Sequence, residues 1–155
     1  RFDQSIAEHI RRKYGLAIGD QSAEQVKIQV GSAMFMDDPL EMEVKGRDMI
    51  SGLPKTIIVT SDDTTEALQH DLEGLVQAIK DVLHETPPEL SADVMEKGII
   101  MSGGSSQLRN LQTLITEATG VACYLADDPL LCVAKGTGIA LENLDSYKRS
   151  VLATK

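Results

Sequence analysis

An α/β fold with a small β-rich insertion is the architecture this sequence predicts, on three observations. Segments with apolar residues at helical spacing alternate with short apolar or β-branched runs. Residues 32–63 break that rhythm with alternating positions and turn material. Beyond residue 98 the order runs strand, helix, strand, helix, which builds a parallel pair joined by a right-handed crossover.

Ile6, Ala7, Ile10 and Tyr14 recur one helical face apart, and Gly15 supplies a stop. "IGD" opens a second helix, with Asp20 as the expected N-cap, Ala23, Val26 and Val30 on one face, and Gly31 as the stop. In the insertion, "LEMEVKGRD" alternates, "SGLPK" is turn material and "KTIIVTS" is β-branched, so two or three strands are expected. Leu68, Leu72, Leu75, Val76, Ile79, Val82 and Leu83 form the longest apolar stripe. Asp63 and Glu66 are the expected capping box of that helix, and Pro87 and Pro88 end it. A helical turn is expected over 89–96, a buried strand in "GIIMSGG", a helix over 107–119 and a second strand in "VACYLA". "DPLLCVAKGTGIALENLDSY" reads as a last helix, with Pro129 in its first position behind an Asp128 cap.

At 155 residues the chain can form one domain or two small lobes sharing a core. With 24 acidic and 15 basic residues the formal charge is -9, which repels phosphate backbones, and nucleic acid is not an expected partner. Aromatic residues make up 3% and Trp is absent, so no stacking platform for single strands is available. Arg11, Arg12 and Lys13 read as compensation of a helix dipole. Cys123 and Cys132 lack metal or redox spacing and sit among apolar residues, where buried, inert thiols in a reducing cytosol are expected. His9, His70 and His84 are scattered, with no H-x-x-x-H spacing and no triad motif, and no metal site is expected. No run approaches the roughly 18 apolar residues of a membrane span, and no signal peptide is visible. The chain opens on Arg, directly into a helical pattern, which reads as a piece of something longer.

Three stretches carry chemistry. In "MSGGSS", Gly103 and Gly104 follow a strand and precede a helix, where bare backbone can meet a planar or anionic ligand, with Ser102, Ser105 and Ser106 adding hydroxyls. A turn that merely needs positive φ explains the same glycines. The pattern is neither G-x-G-x-x-G nor a Walker loop. In "GDQSAEQVKIQVG", Glu24 and Lys27 lie one turn apart, as a solvated surface pair or as a carboxylate for ribose hydroxyls beside a lysine stem that lies along a base. Gly136 and Gly138 each weaken the last helix by about 1 kcal/mol relative to Ala, so a close neighbour or a bend should compensate.

In this order the three stretches resemble the C-terminal half of the MreB family of bacterial actin-like cell-shape proteins, over nearly the whole chain. "GLAIGDQSAEQVKIQVGSA" looks like the family's G-(D/E)-x-(S/T)-A-E-x-(I/V)-K helix. "ETPPELSADVMEKGIIMSGGSSQLRNL" looks like its P-P-E-L-x-x-D segment and adenosine motif, and "ATGVACYLADDPLLCVAKGTGIALEN" like its final strand and hinge helix. The resemblance implies an incomplete lobe of the actin-like, ribonuclease H-like ATPase fold: residues 1–33 and 64–155 in the inner nucleotide-binding subdomain and 34–63 in a small outer one. It implies ATP or ADP with Mg between two lobes, with Glu24, Lys27, Ser102, Gly103, Gly104 and Ser105 at the nucleotide and Gly136 and Gly138 on the hinge helix. Of the two readings of the glycine turn, the resemblance favours a ligand. Ser105 stands where close relatives usually carry a third glycine, a substitution ordinary in the wider superfamily.

The resemblance further implies head-to-tail filaments and partners among cell-shape and cell-wall synthesis proteins. It places the protein in the cytoplasm, held to the inner membrane through parts absent here. Both phosphate loops and the metal-orienting carboxylates would lie upstream of Arg1, so this segment alone is expected to bind nucleotide weakly and not to hydrolyse it. The strand at 98–101 would then expose an edge, with dimerisation or aggregation as the expected result. The alternatives are a lobe of an actin-fold metabolite kinase, which would carry a larger insertion, and a non-catalytic interaction module with a purely structural glycine turn.

Overall fold

A computed structural model of the chain describes residues 1–144. Helix α1 (Phe2–Tyr14) ends at Gly15, whose φ of 62° lets its N–H reach the Arg11 carbonyl. Strand β1 (Leu16–Ala17) leads into α2 (Asp20–Val30), which stops at Gly31. The N-cap of α2 is Gly19 and not Asp20, which becomes the first helical residue, where its charge favours the helix dipole.

Strands β2 (Glu41–Asp48) and β3 (Pro54–Thr60) form an antiparallel hairpin, and β1 pairs with the outer side of β2, giving the order β1-β2-β3. The insertion thus supplies two strands, and the third comes from the residues before α2. Gly46 is required where β1 crosses, since a Cβ there would lie 2.5 Å from the Ala17 carbonyl oxygen.

Helix α3 (Ser61–Glu85) is the longest element. Its capping box is formed by Thr60 and Asp63, three residues earlier than the expected Asp63 and Glu66. Thr60 ends β3, so a single residue closes the strand and caps the helix. Helix α4 (Pro88–Lys97) starts with Pro88 at a position that needs no N–H donor.

Strand β4 (Ile99–Met101) and β5 (Cys123–Leu125) are parallel, joined through a 3-10 turn (Gly104–Gln107) and α5 (Leu111–Thr119). Among the described residues β4 has no strand on its other side, and Ile100 is 72% exposed. Helix α6 (Cys132–Glu142) begins four residues beyond Asp128. The expected Asp128 and Pro129 start is a turn instead, in which Asp128 takes a positive φ and the Lys135 ammonium meets its carboxylate. The expected end of this helix at 145–147 lies outside the described residues.

One core joins these parts. Ile6 and Ile10 of α1, Ala23, Val26 and Val30 of α2, and Leu68 and Leu72 of α3 pack with Leu16, Val44 and Val59 of the antiparallel sheet. Leu108, Leu111, Ile115 and Cys123 continue it toward the parallel pair. Cys123 is buried and burial pushes its thiol pKa up, as expected of an inert cysteine, whereas Cys132 is half-buried.

Candidate functional site

The backbone past β4 turns at Gly103, whose φ of 87° and ψ of 164° belong to a region open essentially to glycine alone. Its N–H donates to the Pro129 carbonyl at 2.8 Å, which ties the turn to the segment before α6. Gly104 has a different reason: a Cβ there would press on Leu130 at 3.1 Å. Both glycines therefore have structural causes, and the chemistry is decided by what lies beside them.

A cleft of about 230 Å³ lies between the C-terminal part of α2 and this turn, lined by Lys27, Ile28, Gly104, Ser105, Gln107, Leu108 and Arg109. Of the residues expected at the ligand, Lys27, Gly104 and Ser105 meet in it. Gly103 is one residue away, and Ser102 lines an apolar hollow on the other side of the turn with Ile99 and Leu111. Glu24 is exposed one turn earlier on α2, outside the lining.

Several contacts hold α2 against the turn. The Arg109 guanidinium donates from Nη1 to the carbonyls of Ile28 and Gly31, both at 3.3 Å, satisfying acceptors that a helix end leaves open. Ala33 N–H donates to the Arg109 carbonyl at 2.8 Å, and the Asn110 amide donates to Ser32 Oγ at 3.0 Å. Gly31 is needed on two counts, because a Cβ there would lie 2.1 Å from the Lys27 carbonyl oxygen of its own helix end and 3.0 Å from Leu108 Cδ1 on the turn side.

Lys27 does not pair with Glu24. Its ammonium lies 2.8 Å from Asp3 Oδ1 on α1, across the helix interface. Asp3, Arg109 and Gln107 escaped sequence reasoning at this site, since no local spacing links them to α2. Gly136 and Gly138 sit in α6, where none of the described residues is buried and, its own helix backbone aside, no described atom lies within 4 Å of a Cβ built at either glycine. The neighbour expected to compensate them is thus not among the described residues.

A larger groove, about 660 Å³, runs between Ala33, Met34 and Phe35, helix α3 and Leu114 of α5. Its walls are mainly apolar, with Thr65, Gln69 and Gln77 as neutral polar groups and Glu73 as the one charge, so it lacks the cation and glycine turn that distinguish the smaller cleft.

A second polar cluster joins α1 to the start of α3. His9 Nε2 lies 3.5 Å from Glu66 and 3.9 Å from Asp63. These three offer metal-ligand atoms within 4.8 Å of one another. The Lys13 ammonium already stands between the carboxylates, 2.8 Å from Asp63 and 3.0 Å from Glu66, and supplies the positive charge a metal would bring. Burial lowers the His9 pKa, reinforced by the Lys13 charge and opposed by Glu66 and Asp63, so the imidazole is neutral near pH 7. Burial alone would raise the Asp63 pKa, but donors from Lys13, Thr60 and Tyr14 outweigh it and hold the carboxylate below its usual range. This cluster is a structural joint.

The sequence model of the MreB/Mbl protein family matches residues 1–149. The chain belongs to the MreB/Mbl family. It is 45% identical over 152 residues to the cell shape-determining protein Mbl of Bacillus cereus, covering 98% of this chain and 46% of that protein. It is 44% identical over 147 residues to the cell shape-determining protein MreB of Escherichia coli K12, covering 95% and 42%. The chain thus spans less than half the length of these MreB/Mbl relatives. Among solved structures, MreB5 of Spiroplasma citri bound to AMPPNP superposes with a TM-score of 0.88 at 32% identity, over 96% of this chain and 45% of that one. The MamK double helical filament superposes with a TM-score of 0.68 at 20% identity, over 83% and 39%, and shows the fold alone. The architecture is an incomplete actin-like α/β lobe, and the metabolite-kinase alternative is not favoured. No helix among the described residues is long and apolar enough to cross a membrane.

Proposed function

We propose that the chain is the second half of an MreB-family actin-like ATPase, which binds ATP or ADP between two lobes and assembles head to tail into filaments that direct cell shape and cell-wall synthesis. In this reading residues 1–33 and 64–155 form the inner nucleotide-binding subdomain and 34–63 the small outer one. The protein is cytoplasmic and reaches the inner membrane through segments outside this chain. Its further partners are proteins of cell-wall synthesis, and α6 with Gly136 and Gly138 is the interlobe hinge.

The observation that carries the reading is the meeting of Lys27 with Gly104 and Ser105 in one cleft, although 77 positions separate Lys27 from Gly104 in the sequence. A cleft with the Arg109 cation, the stem of Lys27, a bare turn at Gly104, and apolar walls from Ile28 and Leu108 suits a nucleoside with an anionic tail. Glu24 flanks it as the acceptor for ribose hydroxyls, and Ser102 and Ser105 supply hydroxyl donors. The structures of MreB5 of Spiroplasma citri bound to AMPPNP and to ADP support a nucleotide as the ligand. The donor set does not fit Mg: no carboxylate lines the cleft. The metal and the hydrolytic step are therefore assigned to residues outside this chain.

The test is titration of the full-length protein with a fluorescent ADP. Glu24→Ala and Lys27→Ala should each weaken binding at least about threefold, and unchanged affinity in both would sink the assignment.

A further inference from the structure

We infer that Asp3 is a positioning residue for the nucleoside site, which holds the Lys27 ammonium and so leaves the Glu24 carboxylate unclaimed for the ribose. The inference rests on the nucleotide reading above and deepens it by naming what sets the preference for a ribonucleotide.

On an isolated helix, a glutamate three residues before a lysine would take that lysine as its partner. Here the lysine is drawn the other way, with Nζ 2.8 Å from Asp3 Oδ1. Three features favour that choice. The Lys27 side chain is only 17% exposed, so its charge is better screened from water than that of a surface pair on α2. Asp3 lies in the first turn of α1, where the helix dipole favours a carboxylate. Asp3 Oδ1 is buried and has no hydrogen-bond partner besides this ion pair, so moving Lys27 to Glu24 would leave that buried oxygen without a donor.

The consequence falls on Glu24. Among the described residues it has no ion pair, and it is exposed. An ionised carboxylate is acceptor-only and can take two O–H donors at once, which matches a vicinal diol. A lysine bound to it would have to be displaced before the sugar could enter. With its head on Asp3, Lys27 presents its methylene stem to the cleft beside Ile28 and Leu108. A site built to bond a hydroxyl rejects the analogue that lacks it, so Asp3 acts on the choice between ribose and deoxyribose without touching either.

The experiment compares ADP with 2′-deoxy-ADP as ligands of the full-length protein. The parent protein should prefer ADP, and Glu24→Gln should abolish most of that preference. Asp3→Asn should cut the preference at least about threefold, by weakening ADP and sparing 2′-deoxy-ADP. Asp3→Glu should restore it. Adding Lys27→Met to Asp3→Asn should also restore it, because the stem remains while no ammonium is left to claim Glu24. A merely structural role for Asp3 would weaken both ligands equally and would not be rescued by Lys27→Met. If Asp3→Asn leaves the ratio unchanged while Glu24→Gln lowers it, the inference is wrong and the nucleotide reading stands. If Glu24→Gln leaves ADP binding and the ratio unchanged, the nucleotide reading itself fails and takes the inference with it.

Discussion

Tyr14, the last residue of α1, donates its hydroxyl to both carboxylate oxygens of Asp63, at 3.0 and 2.9 Å, and so fastens the end of one helix to the start of another. Asp63 also accepts from Thr60 N–H at 2.8 Å and from Lys13 at 2.8 Å. One carboxylate therefore caps α3, terminates β3 and neutralises a lysine. Asp63→Ala should lower unfolding stability by about 2–4 kcal/mol, through the lost cap and the donors left without an acceptor. Glu66→Ala, at the exposed side of the same cluster, should cost less than about 1 kcal/mol. Urea midpoints of the two variants check the contrast, and equal losses would contradict it.

The same cluster gives the protein an acid-sensitive joint. His9 has a folded pKa below its unfolded value near 6.5, because burial disfavours the imidazolium. The unfolded chain binds that proton first, so stability falls as pH drops below about 6.5 toward the folded pKa. Asp63 is also depressed in the folded state, and its contribution is present above the unfolded carboxylate pKa near 4 and disappears below it. Asp48, held at about 2 by donors from Ser51, Lys55 and Ile50 at the hairpin tip, acts in that lower window too. Thermal melts between pH 8 and about 3 should show two falls, the upper of which disappears in His9→Gln. A single fall below pH 4 in both proteins would count against the role given to His9.

Two glycines flanking β4 separate conformational strain from collision. Gly103 has a φ of 87° with open space around the missing Cβ, whereas Gly98 has a φ of 81° and a Cβ there would lie 2.6 Å from the Ala122 carbonyl oxygen. Gly103→Ala should cost about 1–3 kcal/mol from backbone strain alone. Gly98→Ala should cost more, since it adds a clash with the neighbouring strand. Paired denaturation curves test the ranking, and the reverse order would show that the space around Gly98 is readily remade.

The core-facing stripes were legible in the sequence because periodicity is local. Ile6 and Ile10, Val26 and Val30, and Leu68 and Leu72 face inward as their spacing requires, whereas Leu75 and Val82, in the same expected stripe, are exposed because the described residues leave that end of α3 partly uncovered. The glycine turn and the order of strands beyond it were legible for the same reason. Exact helix starts were harder where several capping residues stand in a row: "TSDD" offers four, and the choice of Thr60 depends on where β3 ends. The side-chain joints were invisible. Asp3 meets Lys27 across 24 positions and His9 meets Glu66 across 57, and nothing in helical spacing encodes either contact. Helical spacing did suggest that Glu24 and Lys27 pair, and the structure replaces that local partner with a distant one because Asp3 is better shielded.

Arg109 is the remaining residue of the cleft whose role follows from geometry that sequence did not reveal. Its guanidinium spans two carbonyls, of Ile28 and Gly31, and so holds α2 at a set distance from the turn at Gly104. Both bonds leave the same nitrogen, Nη1, which stands one bond farther from the backbone than a lysine Nζ, so lysine keeps the charge but falls short of the two carbonyls. Arg109 is exposed and none of the core side chains depends on it, so Arg109→Lys should shift the unfolding midpoint by less than about 1 kcal/mol. ADP affinity of the full-length protein should nevertheless drop about three- to tenfold, since Lys27 and the glycine turn would no longer be held in register. Unchanged affinity alongside unchanged stability would mean that α2 is held by Ala33, Asn110 and the packing of Leu108 alone.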